Sequence, residues 1–141
     1  MFQPRTLARG CFALYALILS FVLLQPQPDV AGASVIGLTE ILSGMPGIGK
    51  WVSGVRIEFV LNVLAFAPIP FLGFWAIPKL TWSDWVAWGF IASTSVEVFQ
   101  GVFLDSRSAQ FVDVVANTAG ALLGSVLAIA FSKIFLSRTD T

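Results

Sequence analysis

Residues 111–136 read FVDVVANTAGALLGSVLAIAFSKIFL, a run whose only charges are Asp113 near its start and Lys133 near its end. As a helix it would be about 39 Å long at 1.5 Å per residue, more than the roughly 30 Å of a bilayer's hydrocarbon layer. It therefore predicts a membrane-crossing helix. Ala116, Gly120, Gly124, Ala128 and Ser132 recur at every fourth position. Such a ladder of small residues lets a neighbouring helix approach closely. A contact within the chain and a homodimer through Gly120 and Gly124 are both consistent with it. One turn earlier, Asp113 and Asn117 stand four apart on one face, beside the ladder.

That acid and amide pairing recurs upstream. Glu58 with Asn62 and Glu97 with Gln100 are spaced four and three residues apart, each inside another long apolar stretch. A carboxylate placed in hydrocarbon costs roughly 2.5 kcal/mol or more on insertion scales, so such groups face a bundle interior or a wet cavity. The three pairs are the chain's most informative functional feature.

Composition agrees with a membrane protein. Hydrophobic residues make up 57% of the 141 positions and charged residues 11%, with a mean hydropathy of +0.86. The formal net charge is zero and the charges are dispersed, so there is no basic patch for nucleic acid. With one cysteine, Cys11, and no histidine, an intramolecular disulfide, a Cys/His metal site and a His-based triad are excluded. No cofactor is indicated, and no nucleophile motif marks the chain as an enzyme.

Working outward, the first span is expected over about Leu7–Leu24, ending at Gln25-Pro26-Gln27-Pro28-Asp29. Ala31-Gly32-Ala33 has the form of a small-residue cleavage site, so a removable signal peptide is the alternative to a retained helix. The glycine-rich segment Val30–Val55 has too short an apolar core for a span. A short amphipathic helix on the membrane, then a loop anchored by Trp51, fits it better than a re-entrant element. The second span, Ile57–Ile77, contains Pro68 and Pro70, which remove backbone donors and should kink the helix or loosen it near mid-membrane. Thr81 or Ser83 would cap the third span, Trp85–Leu104, with Trp75, Trp82 and Trp85 forming an interfacial belt. The fold class is all-α: one domain over 1–141, four transmembrane helices and a short interfacial helix between the first two.

Arg5, Arg9, Lys79, Lys133 and Arg138 fall on the side of the termini, against Lys50, Arg56 and Arg107 on the other. That bias favours cytoplasmic N- and C-termini in a plasma membrane. All three polar pairs then lie toward the outer leaflet, Asn62, Asn117 and Glu97 roughly 6–11 Å inside their helix ends.

Several of these motifs occur together in a known order. The run RIEFVLNVLAFAPIPFLGF from Arg56, the stretch Ser95-Val96-Glu97-Val98-Phe99-Gln100, then Arg107 and DVVANTAGALLG from Asp113, resemble the VanZ-like family over about Arg56–Phe131. That family of small bacterial membrane proteins is named for a teicoplanin-resistance protein. The resemblance implies a compact helical membrane protein of the cell envelope and, for the founder, modest resistance to a lipid-anchored glycopeptide. It carries over Arg56, Asn62, Glu97, Gln100, Arg107, Asp113 and Asn117. Some relatives have an Asp-Lys pair and a histidine near the second helix; this chain has neither there.

Three readings of the cluster follow. In the first, the membrane lipid partner is a lipid-linked envelope precursor or a lipoglycopeptide whose polar headgroup is bound. Arg56 and Arg107 would contact phosphate or carboxylate, and Asn62, Gln100 and Asn117 would orient the group. Glu58, Glu97 and Asp113 would accept from hydroxyls or ammonium, with Phe59, Phe66, Phe99 and Phe103 available to a lipid chain. In the second, the carboxylates, with Asp105, hold a divalent cation for chemistry on a lipid-linked phosphate. In the third, the arginines pair with Glu97 and Asp113 and the cluster only fixes the bundle.

Overall fold

The structure, a computed structural model, describes residues 4–25, 29–104 and 110–136. Its helices are α1 (Pro4–Leu23), α2 (Asp29–Ser43), α3 (Gly54–Phe66), α4 (Pro68–Ala76), α5 (Trp82–Phe103) and α6 (Phe111–Leu136), with a single 3-10 turn at Gly49–Trp51. Among the described residues there is no strand. Among the described residues four stretches are long and apolar enough to cross a membrane: Arg5–Leu23, Gly54–Ala76, Trp82–Phe103 and Phe111–Ile134. α2, at 15 residues, would be about 22 Å long and is too short to cross upright. The expected four spans and shorter intervening helix are therefore present.

The second span is α3 followed by α4, broken where Pro68 lacks a backbone donor. Ala67 keeps helical dihedrals (φ −56°, ψ −36°) and its carbonyl still accepts from the Phe71 N–H at 3.3 Å, so helical backbone geometry resumes directly past the break. Ser53, in extended conformation, caps α3 by accepting from the Arg56 backbone N–H at 3.4 Å. α5 begins at a reciprocal capping box: Thr81 Oγ1 accepts from the Asp84 N–H, and Asp84 Oδ2 accepts from the Thr81 N–H at 2.7 Å. Between α2 and α3 the chain reverses through Gly47, whose φ of +89° is left-handed and suits glycine.

α6 is the spine of the bundle, packed against α3, α4 and α5, while α1 lies on α4 and α2 on α3. The small-residue ladder explains this. A Cβ on Gly120 would come within 2.5 Å of the Val63 carbonyl oxygen, and one on Gly124 would collide with that of Ala67. Both carbonyls thus sit directly against glycine Cα atoms, the arrangement that allows weak Cα–H···O contacts between close helices. Ala116 and Ala128 of the same ladder are fully buried. The ladder makes an intrachain contact, and a second copy using Gly120 and Gly124 would have to displace α3 and α4.

One expectation about the belt is corrected. Trp82 is exposed, but Trp85 is buried: its ring fills the space over Gly73 that a Cβ would occupy and meets Phe12 edge-on at 5.7 Å. It is a core residue, admitted by the missing side chain at Gly73. At the same end, Arg9 Nε donates to the Ala76 carbonyl at 3.1 Å, and Tyr15 Oη to that of Ala65 at 2.8 Å. These bonds fix α1 to the second span at two points, one near its start and one just past its middle.

Candidate functional site

Toward the end of the bundle away from the termini, the helices separate around a cavity of about 470 Å³. Six of the polar residues singled out above line it: Glu58 and Asn62 of α3, Glu97 and Gln100 of α5, Asp113 and Asn117 of α6. The apolar wall comes from Leu19, Val22 and Leu23 of α1, Val35 and Ile36 of α2, and Leu61 and Ala65 of α3. The volume falls within the range of small-molecule sites, roughly 300–1,000 Å³, and an apolar wall with a few converging polar groups is their usual make-up.

Helix periodicity brings the six together. The three- or four-residue spacing keeps both members of each pair on one face, and each pair lies in the portion of its helix near this end of the bundle. Asn62 Nδ2 donates to Asp113 Oδ1 at 2.8 Å, joining α3 to α6. Asn117 Nδ2 donates to Ser93 Oγ at 2.8 Å, joining α6 to α5. Gln100 Nε2 donates to the Leu23 carbonyl at 2.7 Å, satisfying a backbone acceptor in the last turn of α1. Glu97 Oε2 accepts from the Gln110 backbone N–H at 2.6 Å, so its charge sits beside the start of α6, where the helix dipole favours an anion. Glu97, Gln100 and Asn117 are buried, at 6%, 5% and 2% exposure, whereas Glu58, Asn62 and Asp113 are partly exposed.

One atom of the set stands apart: Asn117 Oδ1 is buried without a hydrogen-bond partner. Leaving such an acceptor unsatisfied costs about 1–3 kcal/mol, a penalty that a bound donor would remove.

The two arginines are placed differently. Arg56 is exposed and turns to the loop, donating from Nη1 to the Trp51 carbonyl at 2.6 Å, with its guanidinium 5.8 Å from the Trp51 ring centre. Lys50 Nζ lies 5.7 Å from the same ring, so exposed Trp51 is flanked by two cations. Arg56 does not line the cavity. Arg107, like Asp105, lies outside the described residues. Among the described residues no three Asp, Glu, Cys or His side chains come together as a metal centre, so the carboxylates share a space without forming a ligand set. The phenylalanines also lie elsewhere. Phe66 is buried against Gly120, and exposed Phe99 and Phe103 stack on each other at 5.0 Å.

Sequence reasoning missed Ser93, the Gln110 N–H and the contribution of α1 and α2. Ser93 was within reach, because it precedes Glu97 by one turn and shares its face. The other two depend on how the chain folds back over the cluster, which no local pattern records.

No curated protein and no solved structure matches the chain. The model of the VanZ/LLP1 family matches residues 12–134, taking in the second half of α1 and all of α2 as well as the part from Arg56 onward. With three of its four apolar spans, its glycine ladder and its ring of acids and amides inside that match, the chain belongs to the VanZ/LLP1 family.

Proposed function

We propose that the cavity receives the polar headgroup of an envelope lipid precursor or a lipoglycopeptide, and that the protein thereby contributes to teicoplanin-type glycopeptide resistance. The supporting observation is that three acids and three amides, drawn from three spans, line one space with an apolar wall on α1 and α2. A headgroup would meet the polar side, while its lipid chain would leave along Leu19, Val22 and Val35. The excess of lysine and arginine on the side of the termini orients the cavity toward the outer leaflet of the plasma membrane. Envelope precursors and lipid-anchored antibiotics both expose their headgroups there.

The interhelical hydrogen bonds account for only part of this polarity. Such bonds contribute about 0.6 kcal/mol on average in membrane bundles, a small return for six polar residues and an unsatisfied Asn117 oxygen. Mass spectrometry of lipid co-purifying with the protein tests the reading, with Glu97→Gln beside it. The substitution keeps an oxygen for the Gln110 N–H but removes the charge. Loss of the lipid together with a change in lipoglycopeptide susceptibility is expected. A well-folded Glu97→Gln protein that retains both properties of the parent would overturn the proposal.

A further inference from the structure

The charges of this chain are dispersed in sequence, but the turn between α2 and α3 gathers two of them on one aromatic ring. Lys50 Nζ lies 5.7 Å and the Arg56 guanidinium 5.8 Å from the centre of Trp51. The Arg56 Nη1 bond to the Trp51 carbonyl holds the guanidinium there and occupies only one of its five N–H donors. Among the described residues neither cation is ion-paired with a carboxylate. The first turn of α3 contains no acid, so the positive end of the helix dipole adds to the charge of Arg56 instead of offsetting it. Glu58, the next acid along α3, lines the cavity. The surroundings are those of a membrane boundary: a span opens at Gly54, and Met45, Ile48, Trp51 and Val55 are all exposed beside it. Lys50 also borders an open hollow of about 410 Å³, whose lining includes Ser43, Gly44, Gly47 and Gly49.

We infer that this turn is a binding surface for the phosphate of an anionic phospholipid, separate from the cavity and independent of what the cavity holds. Tryptophan settles where acyl chains give way to headgroups, and Trp51 thereby sets Lys50 and Arg56 at the depth of the lipid phosphates. The guanidinium N–H groups not used by the Trp51 carbonyl donate to the phosphate oxygens, and the Lys50 ammonium supplies a second charge. The hollow beside Lys50 leaves room for the glycerol of the headgroup. A zwitterionic lipid carries its own cation, which Lys50 and Arg56 repel, so the surface selects a headgroup of net negative charge. The exposed apolar side chains around the two cations favour a lipid over a soluble anion, because a bilayer covers them and water does not.

The test places the full chain in phosphatidylcholine nanodiscs carrying a minor fraction of phosphatidylglycerol and reads the retained lipid by native mass spectrometry. The parent should retain phosphatidylglycerol in preference to phosphatidylcholine. Lys50→Gln combined with Arg56→Gln should weaken that retention roughly ten- to thirtyfold, as expected for two cations at a lipid surface. Lys79→Gln, an exposed lysine outside this turn, should leave it within about twofold, since that lysine has no part in the site. Trp51→Leu keeps an apolar side chain but removes the ring under both cations, and should weaken retention by roughly two- to fivefold. A measurement on the unaltered protein stands beside the variants: raising sodium chloride from about 0.1 to about 1 M shortens the screening length from about 10 to about 3 Å and should release the lipid. Equal retention of the two lipids by the parent, or retention by the double variant equal to the parent's, would overturn the site. So would retention that is indifferent to salt or that falls as much with Lys79→Gln. Displacement by sodium phosphate, where sodium chloride of equal ionic strength has no effect, would assign the surface to a free anion and overturn the lipid as its occupant.

Discussion

The two ends of α6 use the same four-residue period for opposite purposes. From Gly120 to Ala128 each step presents a small residue, and α3 and α4 close onto it until their carbonyls meet glycine. One turn nearer its start the steps are Asp113 and Asn117, and here the neighbouring helices stand apart around about 470 Å³. Side-chain volume sets the spacing of helices in a membrane, because lipid is as apolar as leucine and gives no hydrophobic drive for them to close. The packed end should therefore govern stability, and the open end binding.

The sharpest way to break that contrast is a single methyl group at the packed end. Gly124→Ala places its Cβ on the Ala67 carbonyl, and backbone cannot move aside as a flexible side chain can. Overpacking of this kind costs about 1–3 kcal/mol, and the upper part of that range is expected here. Thermal unfolding in detergent, followed by tryptophan fluorescence, should show a clearly lowered midpoint. An unchanged midpoint would mean that α6 and α4 are not in close contact.

Gly73→Ala comes next. Its methyl would meet the ring of Trp85, a side chain that can shift slightly, so a loss of about 1–2 kcal/mol is expected, less than for Gly124→Ala. Quenching of the Trp85 emission should change with it, because the ring is moved from a buried site. If Gly73→Ala were the more damaging of the two, the intimate helix contact would lie between α4 and α5 instead of between α4 and α6.

At the open end the expected order of effects reverses. Asn62→Leu removes the hydrogen bond to Asp113 and should cost only about 0.6 kcal/mol of stability, yet it takes away one polar side of the cavity and, on the proposed function, should abolish lipid co-purification. A midpoint shift as large as that of Gly124→Ala, with lipid retained, would make the cluster a structural clamp.

Much of this division is legible in the sequence alone. The spans followed from apolar length, and the three pairs followed from spacing, because a helix converts a separation of three or four into one face. Trp85 misled because tryptophan is common at membrane interfaces; its burial depends on Gly73, a residue on another helix. The wall from Val35 and Ile36 was hidden for a related reason. A short helix has no membrane-length signal, and what it covers is decided by the reversal through Gly47. Arg56 attracted attention as an anion contact, but Trp51, five residues away, offers its guanidinium both a carbonyl and an aromatic face.

The smallest expected effect lies where the two ends meet. Tyr15 is the point at which α1 is tied by hydrogen bond to the Ala65 carbonyl; one turn further on, Leu19 already lines the cavity. Tyr15→Phe keeps the ring and deletes the bond, so stability should fall by no more than about 0.6 kcal/mol. The consequence should appear in geometry instead. Past Tyr15, α1 is tied to α5 by the bond from Gln100 to the Leu23 carbonyl, so without the tyrosine hydroxyl its last two turns gain freedom to swing over the cavity. Spin labels at Leu17 and Val60, both exposed, should give a broader distance distribution in Tyr15→Phe than in the parent. An unaltered distribution would show that α1 is held over the cavity by apolar packing alone, placing the boundary between the packed and open ends beyond Leu19.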